Sequence, residues 1–152
     1  MMEPIISTQD LKKTYTSGKV ETIALRGVTL QIQEGEFVAI VGPSGCGKST
    51  LLHLLGGLTS PSSGKIFVEG NDFSNMTDAE RTRFRRHKIG FVFQRFNLLP
   101  TLTAKENIEL AQHIQGNGFN PHRFQIVTAM LGIEGRLRNR PFALSGGEQQ
   151  RV

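Results

Sequence analysis

The feature that most constrains this chain is a glycine-rich segment that matches the pattern G-x-x-x-x-G-K-[ST] at every fixed position. The segment and the residue after it are Gly42, Pro43, Ser44, Gly45, Cys46, Gly47, Lys48, Ser49 and Thr50. An apolar run, Phe37–Val41, precedes the segment, and a leucine-rich run with helical periodicity follows it. A buried strand, a glycine-rich turn and a helix in this order form the context that a phosphate-binding loop requires.

Each residue type in this loop has a chemical reason. Glycines permit backbone torsions that a Cβ would forbid, so successive N–H groups can converge on one anion, and the helix N-terminus adds partial positive charge. We expect Lys48 to reach the β- and γ-phosphates and Ser49 to offer its hydroxyl to Mg²⁺. The sequence therefore predicts a site for ATP, or another purine nucleotide, with Mg²⁺. The loop alone does not select the reaction, because ATPases, GTPases and kinases share it.

Strand and helix patterns surround the loop and indicate an α/β fold. The predicted strands are Ile5–Thr8, Val28–Gln33, Glu36–Val41, Lys65–Glu69 and Ile89–Phe93. The first two carry alternating or β-branched residues and are expected to open an antiparallel sheet. Glu36–Val41 and Ile89–Phe93 are nearly continuous apolar runs, which predicts strands buried on both faces.

Helix starts are indicated by three capping boxes, in which a Ser or Thr is followed three residues later by Glu. These boxes are Thr77–Glu80, Thr103–Glu106 and Ser145–Glu148. The helices after them are predicted to run toward His87, toward Ile114 and to the end of the chain. Two further helices are predicted at Lys48–Leu58 and Pro121–Leu131, whereas Gly132–Pro141 is basic and is expected to be irregular.

Length and composition indicate one domain, with 152 residues and a formal net charge of +5. No apolar stretch is long enough to span a bilayer, and no secretory signal is recognised, so we expect a cytoplasmic protein. The single cysteine, Cys46, excludes a disulfide within the chain. Part of the positive charge lies in Arg81–Lys88. We interpret this segment as a solvated helix face and expect no nucleic-acid partner, since aromatic residues are not interleaved there in the way that base-stacking platforms need.

Four segments resemble the ATP-binding cassette (ABC) family. Leu144–Val152 resembles its signature motif, and Phe93–Gln94 resembles its Q-loop. Tyr15 stands where the family places an aromatic residue that stacks on adenine, and Ser60–Gly64 is similar to the turn after the first helix. Within the family, the amino-acid sequence most resembles the lipoprotein-releasing and macrolide-export branch. The segments that carry this resemblance are Phe37–Gly45, Leu51–Leu58, Ile89–Pro100 and Leu102–Ile108. The resemblance extends from Ile6 to Val152.

This resemblance implies a P-loop NTPase fold of ABC cassette type, with an N-terminal antiparallel β subdomain and an α-helical subdomain. We expect a single domain over 1–152, divided into a β subdomain with the phosphate-loop core at 1–94 and a helical subdomain at 95–152. In the family, two cassettes pair head to tail around ATP. The residues expected to face the partner's ATP are Ser145, Gly146, Gly147 and Glu148.

The same resemblance assigns roles to individual residues. Lys48 and Gln94 would be catalytic, Ser49 and Gln94 would contact Mg²⁺, and Tyr15 would stack on the adenine ring. The expected partners are ATP, a second cassette and a transmembrane permease subunit, which would place the protein at the inner face of the cell membrane. The function implied is that of an exporter ATPase for lipoprotein release or for macrolide or peptide export.

Family members continue after the signature into an apolar strand that ends in Asp-Glu, which holds Mg²⁺ and positions the attacking water. The sequence stops at Val152, before such a strand. We therefore expect this chain to bind nucleotide weakly, to hydrolyse it poorly and to expose an apolar sheet edge that aggregates or swaps. Two alternatives stay open: a nucleotide-binding fragment that assembles with a partner, and an ABC protein that acts on ribosomes or nucleic acid.

Overall fold

The computed structural model describes residues 3–116 and 118–152, and its contacts divide the chain into one unit that ends at Ile89 and another that begins at Gly90. The first unit contains β1 (Ile6–Ser17), β2 (Val20–Ile32), α1 (Lys48–Leu55), β3 (Ser63–Val68), β4 (Asn71–Asp72) and α2 (Asp78–Lys88). The second contains α3 (Ala104–Gln115), α4 (Pro121–Met130), α5 (Gly146–Arg151) and 3₁₀ turns at Glu134–Arg136 and Pro141–Ala143.

The strands form one antiparallel sheet in the order β2-β1-β3-β4. A tight turn between Ser17 and Val20 joins β1 to β2, and Gly18 adopts φ +61° there. Both strands extend well beyond the predicted segments, because cross-strand backbone hydrogen bonds continue through polar residues that carry no apolar alternation. The pairing of β1 is interrupted at Asp10, which adopts φ +45° within a bulge.

The core of the first unit lies between this sheet and α1. Its buried members are Leu11, Leu25, Leu51, Leu54, Leu55, Ile66, Val68 and Phe73. Helix α1 begins at Lys48 as predicted but ends at Leu55, three residues before the predicted end. The chain leaves the helix through Gly57 at φ +66°, where an added Cβ would lie 2.9 Å from the Phe73 ring. The packing of Phe73 therefore helps to set the end of α1.

Two predicted strands are wrong. Glu36–Val41 and Ile89–Phe93 pair with no strand in the part of the chain that the structure describes. Phe37 is 98% exposed and Val92 is 85% exposed, so these runs are not buried on both faces. Apolar composition indicates that a segment can be buried, but a strand also needs a hydrogen-bonding neighbour, which comes from residues far away in the sequence.

All three predicted capping boxes are confirmed. The backbone N–H groups of Thr77, Thr103 and Ser145 each donate to a glutamate three residues later, at 2.7 Å. In return, the side-chain oxygen of each cap residue accepts from that glutamate's backbone N–H. These interactions span only four residues, which explains why the sequence alone located the starts of α2, α3 and α5.

The second unit ties the start of α3 to the basic segment before the signature. The N–H of Ala104 donates to Asn139 O at 2.8 Å, and that of Lys105 donates to Leu137 O at 3.0 Å. Ala104, Ile133 and Leu144 are buried in this unit. Within residues 3–116 and 118–152 the longest helix, α3, has 12 residues, and no helix is long and apolar enough to cross a bilayer.

Candidate functional site

The glycine-rich loop is held against the hairpin by close backbone packing at its last glycine. Gly47 adopts φ +95°, a left-handed conformation, and forms the N-cap of α1. A Cβ added to Gly47 would lie 2.5 Å from Ala24 O and 2.9 Å from Leu25 Cδ2, both on β2. Glycine is required here for torsion and for space, so β2 positions the loop at the start of α1.

Lys48 curls over this loop. Its Nζ donates to the carbonyl oxygens of Gly42 and Pro43, at 2.7 Å each, and lies 3.7 Å from Cys46 Sγ. The first helical hydrogen bond of α1 runs from Leu51 N to Gly47 O at 2.9 Å. The backbone N–H groups in the first turn of α1 therefore stay available to an anion, and that turn contains no acidic residue. An ammonium group and a helix N-terminus thus converge at one loop, which suits a phosphate group.

The candidate metal ligand in this loop is the hydroxyl of Ser49, an exposed residue in the first turn of α1. Among the residues that the structure describes, no group of three or more His, Cys, Asp or Glu side chains is placed to hold a metal ion. Mg²⁺ commonly binds through one or two protein oxygens plus phosphates and water, so a single hydroxyl beside a phosphate site fits its chemistry.

Tyr15 belongs to the same unit as the loop. It pairs with Thr22 near the tip of the β1–β2 hairpin, and its side chain is 43% exposed. Lys13 Nζ lies 5.0 Å from the centre of the Tyr15 ring. The ring is therefore an accessible aromatic surface with a cation on one face.

Gln94 lies in the second unit, at an exposed bend directly after the apolar segment Ile89–Phe93. That segment is anchored by Gln150, whose Nε2 donates to Phe93 O at 3.1 Å. This role of Gln150 is not visible in the sequence, because Gln150 and Phe93 are 57 positions apart and no local pattern connects them.

The residues Ser145–Glu148 form the start of α5, with Ser145, Gly146 and Gly147 exposed. Glu148 Oε2 accepts from Ser145 N at 2.7 Å, and Oε1 accepts from Arg136 Nε, also at 2.7 Å. The backbone N–H of Ser145 and, next, the Arg136 guanidinium lower the pKa of Glu148 to about 2. Arg136 was not singled out from the sequence, where it is one of several basic residues before the signature.

One expectation about charge is wrong. The sequence predicts that Arg81 lies on a solvated helix face, but its side chain is only 6% exposed. It donates to Met76 O at 2.6 Å and to Ser60 Oγ at 2.8 Å, and it also pairs with Asp78. Arg85 donates to Gly57 O, after the end of α1. These two arginines join α2 to the chain that follows α1, and the solvated part of α2 is correspondingly smaller.

Comparison with known proteins identifies the class to which this fold and loop belong. The family model for ABC transporters matches residues 25–152. The lipoprotein-releasing system ATP-binding protein LolD of Nitrobacter hamburgensis is 45% identical over 98% of this chain. The macrolide export ATP-binding/permease protein MacB of Syntrophobacter fumaroxidans is 41% identical over 97% of this chain.

Comparison with solved structures identifies the same class of protein. The dimeric structure of the ATP-binding cassette MJ0796, in a post-hydrolysis state with ADP and Pi, is 41% identical and superposes with a TM-score of 0.85. It covers 96% of this chain, which in turn covers 66% of that structure. This chain spans 65% of the length of the LolD relative and 21% of the MacB relative.

The chain belongs to the ABC transporter ATP-binding family. Within that family it matches the branch that contains LolD and MacB, as its sequence motifs predicted.

Proposed function

We propose that this chain binds Mg-ATP at Gly42–Thr50 as part of the ATP-hydrolysing subunit of an ABC-type membrane exporter. The observation that carries the proposal is the position of Lys48 Nζ, 2.7 Å from two carbonyl oxygens of the loop that its own helix follows. An ammonium at that point can exchange these carbonyl partners for phosphate oxygens by a small side-chain movement, while the loop backbone stays in place.

The nucleotide would be held by several parts of the first unit. Backbone N–H groups at the start of α1 would surround the phosphates, and Lys48 would neutralise their charge. Ser49 would bind Mg²⁺ together with phosphate oxygens. The exposed ring of Tyr15 would stack on adenine, with Lys13 able to remain on its other face.

Residues of the second unit would complete a paired assembly. Ser145, Gly146 and Gly147 are exposed at the start of α5, which suits contact with nucleotide on a second cassette. The MJ0796 cassette is dimeric with ADP and Pi bound, which supports the pairing of two cassettes.

Gln94 would contact Mg²⁺ or the attacking water and report the nucleotide state to a transmembrane permease. We take residues 1–152 as part of one cassette domain, with subdomains at 1–94 and 95–152.

The exporter function rests on the relatives. LolD is named for a lipoprotein-releasing system and MacB for macrolide export, and both match nearly all of this chain. A membrane permease would provide the path for the cargo, and the cassette would lie against the membrane through that partner. Lipoprotein release and macrolide or peptide export are both compatible with the matches.

Titration of Mg-ATP against Lys48→Ala tests the proposed site, with Lys105→Ala, a half-exposed lysine on α3, as the matched control. We expect the first variant to weaken binding by at least about tenfold, because it removes a charge-assisted hydrogen bond to phosphate. The control should bind as the parent chain does. Equal affinity of all three proteins would contradict the proposal.

Cys46 provides an independent readout, because it is exposed and lies beside Lys48 in the loop. We expect Mg-ATP to slow alkylation of this thiol in the parent chain and not in Lys48→Ala. An alkylation rate that Mg-ATP leaves unchanged in the parent chain would argue against phosphate binding at this loop.

A further inference from the structure

Helix α2 presents a basic face that the nucleotide site does not use. Arg83, Arg86 and His87 are exposed and lie three and four residues apart, so they share one side of the helix. With Asp78, Ala79 and Thr82 they line a shallow depression on the surface of the first unit. We call Arg83, Arg86 and His87 the α2 basic face.

The acidic groups near this face are already engaged. Asp78 pairs with Arg81, the Glu80 carboxylate accepts the N–H of Thr77, and Glu69 pairs with Lys88 at 2.8 Å. Within residues 3–116 and 118–152, neither Arg83 nor Arg86 takes part in an ion pair. Two exposed guanidinium groups therefore stand together without an ion-pair partner of their own. The Glu80 carboxylate, which accepts only from the neutral N–H and hydroxyl of Thr77, keeps its negative charge three residues before Arg83.

The shape and composition of the face select among anionic partners. It carries no exposed aromatic ring, since Phe84 packs edge-on against Phe73 at 4.9 Å, so it lacks a platform for base stacking. It has no apolar anchor of the kind that forms the centre of a protein interface. It is also a shallow site on a single helix, which cannot enclose a small anion. A broad anionic surface is the partner that such a face fits.

We infer that the α2 basic face docks on the anionic phospholipid surface of a membrane. The inference rests on the proposed function in one respect, since an exporter subunit works beside a bilayer that supplies such a surface. Each arginine near an anionic bilayer strengthens binding by about fivefold, so the pair contributes about 25-fold. This contact would be electrostatic and would weaken as salt is raised.

The test is sedimentation of the full 152-residue chain with two kinds of vesicle, both in about 0.1 M salt. One kind consists of phosphatidylcholine alone, and the other also contains 30% phosphatidylserine. The variant is Arg83→Gln with Arg86→Gln. The control, Arg123→Gln with Arg138→Gln, removes the same charge from two exposed arginines elsewhere. Circular dichroism verifies that both variants keep the parent's helix content.

Preferential binding to the anionic vesicles, reduced about 25-fold in the α2 variant and little changed in the control, supports the inference. An equal reduction of vesicle binding in both variants would show that binding depends on net charge and not on α2, and would overturn the inference. Equal binding of the parent chain to both vesicle types would also overturn the inference. Binding through the α2 basic face that is tighter to duplex DNA than to anionic vesicles at the same salt would overturn it as well.

Nucleotide titrations on the same proteins separate this inference from the proposed function. The α2 variant leaves the glycine-rich loop intact and should bind Mg-ATP as the parent does. A parent chain that binds anionic vesicles through α2 but does not bind Mg-ATP would refute the proposed function alone. A chain that binds Mg-ATP but not anionic vesicles would refute the docking surface alone.

Discussion

Arg136 Nε lies 2.7 Å from Glu148 Oε1, and this contact joins a 3₁₀ turn to the first turn of α5 across twelve residues. The other oxygen of the same carboxylate accepts the backbone N–H of Ser145. Glu148 therefore holds the start of α5 from two sides. The equivalent glutamates of the other two capping boxes, Glu80 and Glu106, accept from their own cap residues. Within residues 3–116 and 118–152 neither of them forms an ion pair with an arginine.

The pH dependence of stability should report this arrangement. Folding lowers the pKa of Glu148 from its ordinary value of 4.5 to about 2. The ionised carboxylate therefore stabilises the fold above about pH 4.5, and this contribution is lost as the pH falls toward 2. We expect Glu148→Gln to lower Tm near neutral pH and to show a shallower decline of Tm between pH 4.5 and 2, measured by thermal denaturation.

The contribution of Arg136 can be isolated by NMR titration of the Glu148 carboxyl carbon. Arg136→Gln should raise the pKa of Glu148 but leave it below 4.5, because the Ser145 N–H still donates. Arg138→Gln, an exposed neighbour, should leave the titration unchanged. A Glu148 carboxyl that titrates near 4.5 in the parent chain would disprove the assigned contacts.

The glycine at the end of the phosphate loop should tolerate no side chain. Gly47→Ala forces a left-handed torsion on alanine and places its Cβ against Ala24 O. We expect a loss of about 3 kcal/mol in the free energy of unfolding, from torsional strain and overpacking together. Gly45→Ala should cost only about 1 kcal/mol, since Gly45 also has positive φ but faces open space.

Urea denaturation of the two glycine variants measures this difference. The comparison holds the chemical change constant and varies only the space around the added methyl group. If both variants lost the same free energy of unfolding, the close packing of Gly47 on β2 would not be a determinant of the loop.

The buried arginine of α2 should be sensitive even to a conservative change. Arg81→Lys keeps the charge but cannot reach Met76 O, Ser60 Oγ and Asp78 together. We expect a loss of about 2–4 kcal/mol, because polar groups near a buried position lose their partners. Arg83→Lys, on the exposed face of the same helix, should change stability by less than about 0.5 kcal/mol.

Chemical denaturation followed by circular dichroism distinguishes these two lysine variants. An Arg81→Lys protein as stable as Arg83→Lys would show that the guanidinium contacts contribute little, and that burial of the side chain's aliphatic part is sufficient.

Much of the local structure was predictable because its causes lie within a few residues. Each capping box involves only a cap residue and a glutamate three positions later. The glycine-rich loop and the start of α1 at Lys48 were likewise located from the sequence. The match to the ABC family was predicted from further segments, above all the signature-like Leu144–Val152 and the Q-loop-like Phe93–Gln94.

The errors share a different origin. The apolar runs Glu36–Val41 and Ile89–Phe93 look like strands, yet strand pairing depends on a distant neighbour. Arg81 looks like any other cation of a polar helix, and its contacts with Met76 O, Ser60 Oγ and Asp78 make its burial favourable. The strand β4 was missed because its two residues carry no periodicity.

The sequence by itself determined the glycine-rich loop, the helix starts and the family, because each depends on side chains and torsions that neighbouring residues specify. The tertiary structure decided which apolar runs become strands, which arginine is buried, and that Arg136 meets Glu148. These outcomes depend on hydrogen bonds and packing between residues far apart in the chain, whose free energies no local pattern encodes.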